Sequence, residues 1–424
     1  MVTYASVPQP VHISGIGVVS AFGASHAAFR DALLEGRTAI APVKGFETAG
    51  CRSTLAAEIG AFDASPWIPP MKMRRLDRTG VYAIAATRLA IEDAHVQLPS
   101  DGDDAIGVVL GTWTAGGGST QQFLDALFKS GPSGAPALLF DSTVANSAAS
   151  VAGLEHRFRG PNMTVSHKEA SGLAAIVQAV DLIREQRATA LVAGASDAIF
   201  EPFYKAHDRF GVMSPAPAFS HRLAPFDTGR AGFVIGEGAF TFWLQPSLAQ
   251  AAASFGLASR TYPRYGEILG VAASSAAVRL NAWPNRTAPL VRTMRLALED
   301  AELTADAVDV VYASANATPA LDAVEAGALT ELFGGSRTVV TSLKGALGEC
   351  GASGAAACAA AIVCGRQGRV PPIAGLECAD PATDGLRLAR RDAIAPGPVV
   401  LVNSVASGGA LFSVVLRVAS GSAA

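Results

Sequence analysis

An α/β fold made of two copies of one unit is what the sequence predicts. Short apolar runs of strand length alternate with longer segments of helical periodicity, which argues for sheets covered by helices. That alternation returns in the second part of the chain with similar strings. The chain has 424 residues, 50% of them apolar, enough for two or three compact units or two tightly joined halves.

The elements follow in order. Val11–Val19 is apolar and β-rich and predicts a strand, and residues 25–36 have helical spacing. Residues 77–94 place Val81, Ile84, Ala85, Leu89 and Ile91 on one helical face. Ile106–Gly111 reads as a buried strand and 112–118 as a loose glycine turn. Residues 163–166, 172–184 and 190–194 then read as strand, long helix and strand.

The order then recurs. DAIGVVLGTWTAG at 104–116 resembles DAVDVVYASANAT at 306–318: an acidic start, a buried strand, then small residues. VSHKEASGLAAIVQAVDLI at 165–183 resembles TSLKGALGECGASGAAACAAAIV at 341–363, a strand end feeding a helix rich in small residues. Duplication is the economical explanation, with halves 1–250 and 251–424 joined near 245–265. Small side chains on the two helices permit close approach where the halves meet.

Charge and composition remove several functions. A net charge of -3, from 33 basic and 36 acidic residues, offers no concentrated positive surface for nucleic acid. The five cysteines, Cys51, Cys350, Cys358, Cys364 and Cys378, are odd in number and sit largely among apolar residues. They read as reduced thiols, not as a disulfide framework or metal motif. The start of the chain, MVTYASVPQPVHISG, lacks a basic region followed by an apolar run, and no uninterrupted apolar stretch is long enough to span a bilayer. A cytoplasmic protein away from membranes is expected, with neither cofactor nor metal.

Six strings in order then resemble the β-ketoacyl synthases of the thiolase-like fold. They are VHISGIGVVSAFG, ASGLAAIVQA, LAPFDTGRAGFVIGEGA, LDAVEAGAL, SLKGALGECGASGAA and LVNSVASGG, and they cover almost the whole chain. The resemblance implies two stacked halves in a five-layered αβαβα arrangement, paired into a dimer across a continuous sheet. It also implies acyl transfer from an acyl carrier protein or coenzyme A to a nucleophilic cysteine, with two histidines stabilising the developing enolate and oxyanion.

This chain departs from that pattern. Glu169 stands at the nucleophile position, Ser314 at the first histidine position in the string SANATP, and Glu349 at the second; Lys344 persists. In the last motif Ser407 replaces the gating aromatic residue and Leu411 the later asparagine. A carboxylate cannot hold an acyl group as a thioester. At a helix start, Glu169 is expected to accept backbone N–H bonds and lose basicity. Ser314 and Ser171 carry no sequence sign of activation, and His167 is a weak candidate for proton transfer because strand alternation can turn it to another face. If Glu169 and Glu349 share the pocket, they need Lys344 as counterion or must share a proton. Phe226, Asp227, Arg230, Gly236, Glu237 and Gly238 keep family patterns whose expected work is architectural.

Catalytic residues are therefore not expected. Within the family the best match is the chain-length-factor type, the inactive half of a ketosynthase heterodimer in type II polyketide or related polyene pathways. The resemblance implies an active ketosynthase as partner, an acyl carrier protein met through the complex, and a tunnel closed by side chains of this chain. Trp113, Phe123, Phe128 and Phe140 are the candidate tunnel or interface residues, with ordinary core packing equally open, and the small-residue run 142–152 suits a close two-fold contact. A decarboxylase acting on a malonyl carrier protein and a non-catalytic structural homodimer stay open as alternatives. The product class is not legible.

Overall fold

The two repeated strings lie on equivalent strands of one sheet. The protein is described by a computed structural model covering residues 9–216, 223–246 and 265–421. Its strands are β1 (Val11–Val19), β2 (Ala41–Pro42), β3 (Leu55–Ala57), β4 (Ile106–Gly111), β5 (Asn162–Val165), β6 (Ala190–Asp197), β7 (Ile235–Gly236) and β8 (Gly238–Pro246). They continue as β9 (Gly266–Ser275), β10 (Val310–Tyr312), β11 (Val339–Thr341), β12 (Arg387–Leu388), β13 (Val399–Val405) and β14 (Ala410–Val418). Eleven of them form one sheet in the order β12-β11-β10-β13-β14-β9-β1-β8-β6-β4-β5.

Within that sheet the series β5-β4-β6-β8-β1 and β11-β10-β13-β14-β9 have the same pairing: parallel, parallel, antiparallel, antiparallel. The strings at 104–116 and 306–318 carry β4 and β10, and those at 165–183 and 341–363 run from the ends of β5 and β11 into long helices. Duplication is thus visible as topology. The halves join edge to edge through three residue pairs, Val11 with Ile268, His12 with Glu267 and Ile13 with Gly266. The expected division between residues 250 and 251 lies outside the described residues.

Two helices, Ser171–Arg184 and Ser353–Gly365, lie against each other and contact strands of both halves. Arg78–Asp93 and Ser147–His156 cover the outer side of the first half; Ala288–Asp300 and Pro319–Phe333 cover the second. Helix, sheet, helix pair, sheet, helix is the five-layered arrangement the sequence led us to expect. The middle layer owes its thinness to small residues. Every residue from Gly354 to Cys364 is buried, and Gly172 N–H donates to the Gly351 carbonyl at 2.7 Å. A Cβ on Gly172 would come within 3.0 Å of that oxygen, so a larger residue would force the helix starts apart. This contact fixes the site, because Glu169 and Glu349 precede those two glycines by three and two residues.

Several local expectations need correction. The glycine turn after β4 ends at Gly116, where a Cβ would meet the Ser142 carbonyl at 1.7 Å, and a helix runs from Gly117 to Ser130. Of that helix only Ser119 is buried. The small-residue run 142–152 divides: Ser147, Ala148, Ala149 and Ala152 face the interior on helix Ser147–His156, while Val144, Ala145 and Asn146 are exposed. No helix of the described residues is long and apolar enough to cross a membrane.

Candidate functional site at the meeting of the two halves

Glu169 lies on a 3-10 turn, Lys168–Ala170, that leads into the central helix Ser171–Arg184. The turn requires a left-handed backbone at Lys168, φ 54°. Ser171 holds the turn: its Oγ accepts from His167 N–H at 2.9 Å and lies 2.7 Å from the Lys168 carbonyl. A hydroxyl occupied in this way is structural. Glu169 itself is 1% exposed, and its carboxylate is bound from the other half, where Ser407 donates its N–H at 3.0 Å and its Oγ–H at 2.8 Å.

The expected loss of basicity does not occur. Burial pushes the Glu169 carboxyl up to about 7, and the nearby Glu349 adds to the rise; Lys168 and the hydrogen bonds only partly offset them. Desolvation outweighs the helix start here, because Glu169 precedes the helix and meets Ser407 instead of the free amides of its first turn.

Glu349 belongs to a second, connected set. It is fully buried, and its Oε2 accepts from Lys344 Nζ at 2.6 Å and from Asn316 Nδ2 at 2.9 Å. Lys344 Nζ also donates to the Ser314 carbonyl at 2.7 Å and lies 3.3 Å from Ser314 Oγ. Three acceptors surround an ammonium that has three protons. Its protons are thus committed, and it is not poised to take one from Ser314. Ser314 Oγ in turn accepts from Val405 N–H at 2.9 Å, and Ser314 N–H donates to Glu325 Oε1 at the same distance. Ser314 therefore serves as a strut between β10 and β13.

Among the described residues Glu349 Oε1, Glu325 Oε2 and Asp197 Oδ2 are buried without a hydrogen-bond partner, and burial raises the Glu325 and Asp197 carboxyls. Cys350, next to Glu349, is the cysteine of the site. Its thiol is buried, pushed well above the usual thiol range, and 3.7 Å from the Ser353 hydroxyl, so it is held as an inert thiol. The cavity lined by Lys344, Gly348, Cys350, Ser353, Asn403 and Ser404 measures about 20 Å³. That space suits roughly one water, not an acyl chain. Among the described residues no group of three or more His, Cys, Asp or Glu could hold a metal ion.

The remaining candidates separate in space. Trp113 points inward, edge-on to Phe203 and His207 with ring centroids 5.0 and 4.9 Å away, and belongs to the packing of the first half. Phe123 packs against Phe140 at 5.7 Å on the 117–140 hairpin. Phe128 and Phe140 are 82% and 56% exposed, and Leu138 and Val144 are exposed beside them in sequence. Leu411 is buried in the core of the second half. The His167 ring packs against Phe412, 5.2 Å away, and the hydrogen bonds that hold Glu169 come from Ser407.

The family-pattern residues 226–238 build the walls. Asp322 accepts from Phe226 N–H at 2.8 Å and pairs with Arg230 Nε at 3.3 Å, and Arg230 bonds Asp380 at 2.5 Å. Glu237 accepts from the amides of Ile59 and Ile199 and from Arg78. Three contributors escaped the sequence reading. Lys168 reaches Ser407 Oγ at 2.5 Å and Asn281 Oδ1 at 2.6 Å; Asn316 holds Glu349; and Asp197 gathers the amides of Trp113 and Thr114. Adjacency to Glu169 and Ser314 was the available signal for the first two. Asp197, at the end of β6, offered none.

Comparisons with known proteins find relatives over most of the chain. Residues 8–249 match the β-ketoacyl synthase N-terminal domain and residues 265–377 its C-terminal domain. A putative polyketide β-ketoacyl synthase 1 of Streptomyces virginiae is 33% identical over 88% of this chain and 89% of its own length. The tetracenomycin polyketide synthase ketoacyl synthase beta subunit of Streptomyces glaucescens is 30% identical over 87% of this chain and 89% of its own. Among solved structures, the ishigamide ketosynthase/chain length factor superposes with a TM-score of 0.86 at 26% identity, covering 97% of this chain and 100% of the matched one.

Proposed function

Because this chain belongs to the β-ketoacyl synthase family, we propose that it is a chain-length-factor subunit, a partner of an active ketosynthase that shapes the acyl tunnel without taking an acyl group itself. One observation carries the reading. At the three positions where the family's chemistry resides stand a carboxyl clamped by Ser407, a serine held by Lys344 and Val405, and a second carboxylate tied to Lys344 and Asn316. No group among them combines a free lone pair with access to a substrate-sized space, which covalent capture requires. Stabilising an enolate needs donors aimed at open space, and the Lys344 protons are already used, which disfavours decarboxylation.

The surface supports pairing. β5 is an edge strand with a neighbour on one side only among the described strands, and an open edge is a ready template for another chain. The 117–140 hairpin exposes Phe128, Leu138 and Phe140. Large apolar side chains grouped in this way mark contact surfaces. In this account β5 pairs across a two-fold axis and the hairpin enters the partner, where Phe128 and Phe140 set how long a chain fits. The names of two relatives, a ketoacyl synthase beta subunit and a ketosynthase/chain length factor, support the same role.

Co-expression with an active type II ketosynthase tests the proposal. A stable one-to-one complex is expected, with products that lengthen when Phe128 or Phe140 becomes alanine. A soluble homodimer that ignores that partner would rule the proposal out.

A further inference from the structure

We propose that Glu169 and the loop at 406–409 form a proton-controlled latch between the two halves, shut while the carboxyl is neutral and loosened when it ionises. The latch is a property of this chain alone and does not depend on the partner proposed above.

The geometry is a strap over a buried acid. The loop joins β13 to β14, with Gly408 at φ 115° and Gly409 at φ 89°. Gly408 N–H holds it to the Ala282 carbonyl at 2.8 Å. Toward the first half, Ser407 bonds to Glu169 and Lys168. At 2.8 Å the Ser407 Oγ–Glu169 Oε1 bond serves either protonation state: the hydroxyl donates to a carboxylate, or a neutral carboxyl donates to the hydroxyl. The Ser407 N–H donates to Oε2 in both.

Opening the strap gives Glu169 to water. Closed, the carboxyl is held up to about 7 against an ordinary value of 4.5. The open form therefore gains an ionised carboxylate at lower pH than the closed form does. By linkage, opening becomes easier as pH rises from about 4.5 through about 7.

The facing charges are few. Lys168, on the same turn, favours ionisation, and Glu349, before helix Ser353–Gly365, opposes it with its own charge tied to Lys344. The loop, Ala406 to Gly409, and the first turn of helix Ser171–Arg184 bring no titratable side chain. His167 is exposed, with its ring against Phe412.

Amide hydrogen exchange of the full chain reads the latch directly. At residues 406–410, where exchange must be faster than in β6 so that loop opening is observed, protection should fall about 30-fold between pH 5.5 and 8.5 after correction for intrinsic rates. Glu169→Gln should flatten that dependence, and Lys168→Met should move its midpoint to higher pH. Protection that is flat or rising with pH in the wild type overturns the latch, as does an undiminished fall in Glu169→Gln. If Glu169→Gln does not fold, an unmoved midpoint in Lys168→Met overturns it equally.

Discussion

Replacing Lys344 by methionine should be among the most damaging single changes available to this protein. The substitution keeps an unbranched apolar stem and removes the ammonium. Glu349, fully buried, then loses its 2.6 Å ion pair, and the Ser314 carbonyl loses its 2.7 Å donor. Breaking a buried pair from one side costs about 3–5 kcal/mol, because an uncompensated charge stays behind. The double variant Lys344→Met/Glu349→Gln removes that charge, keeps an amide oxygen to accept from Asn316 Nδ2, and leaves mainly the carbonyl without its donor, a loss of about 1–3 kcal/mol. Urea unfolding of the three proteins at neutral pH measures both values, provided the slopes agree. The double variant should be more stable than the single one. A single variant costing less than about 1 kcal/mol, or a double variant no better than the single, would refute the view that Lys344 is a structural counterion.

Three further outcomes follow from the same geometry. Glu169 is neutral in the fold and ionised in the unfolded chain between about 4.5 and about 7, so its contribution to stability is full below that window and lost as pH rises through it. Glu169→Gln should match the wild type near pH 4 and exceed it by about 3 kcal/mol at pH 8 in thermal or urea unfolding; a constant difference across pH contradicts the assignment. Under the proposed role, Glu169→Cys should give no condensation in a product assay, because Ser314 and Glu349 would still fill the other two positions of the family's chemistry; measurable turnover by that variant argues against that role. Phe128→Glu, at a side chain 82% exposed, should change unfolding by no more than about 0.5 kcal/mol yet weaken the one-to-one complex severalfold in sedimentation; unchanged affinity would remove the hairpin from the interface.

The fold was legible because its two signals are periodic. β1 and β4 have the boundaries that their apolar runs predict, and the duplicated strings mark equivalent strands. Glu169, Ser314 and Glu349 were legible as residue types. Their partners were not, since those come from distant parts of the chain: Ser407 is 238 residues from Glu169 and Val405 is 91 from Ser314. The protonation behaviour of Glu169 was read with the wrong sign for a related reason. A helix start is visible in sequence, whereas burial by the opposite half is a property of the assembled layers. The same limit applied to aromatic residues, where composition could not separate the inward Trp113 from the outward Phe128.

If this chain gives its scaffold to another subunit's chemistry, it carries no acyl group of its own. Intact-mass spectrometry of the co-expressed complex after incubation with an acylated carrier protein measures that directly. One acyl increment is expected on the partner ketosynthase, with an unmodified mass for this chain. An acyl increment on this chain, lost in Glu169→Ala or Ser314→Ala, would contradict that role.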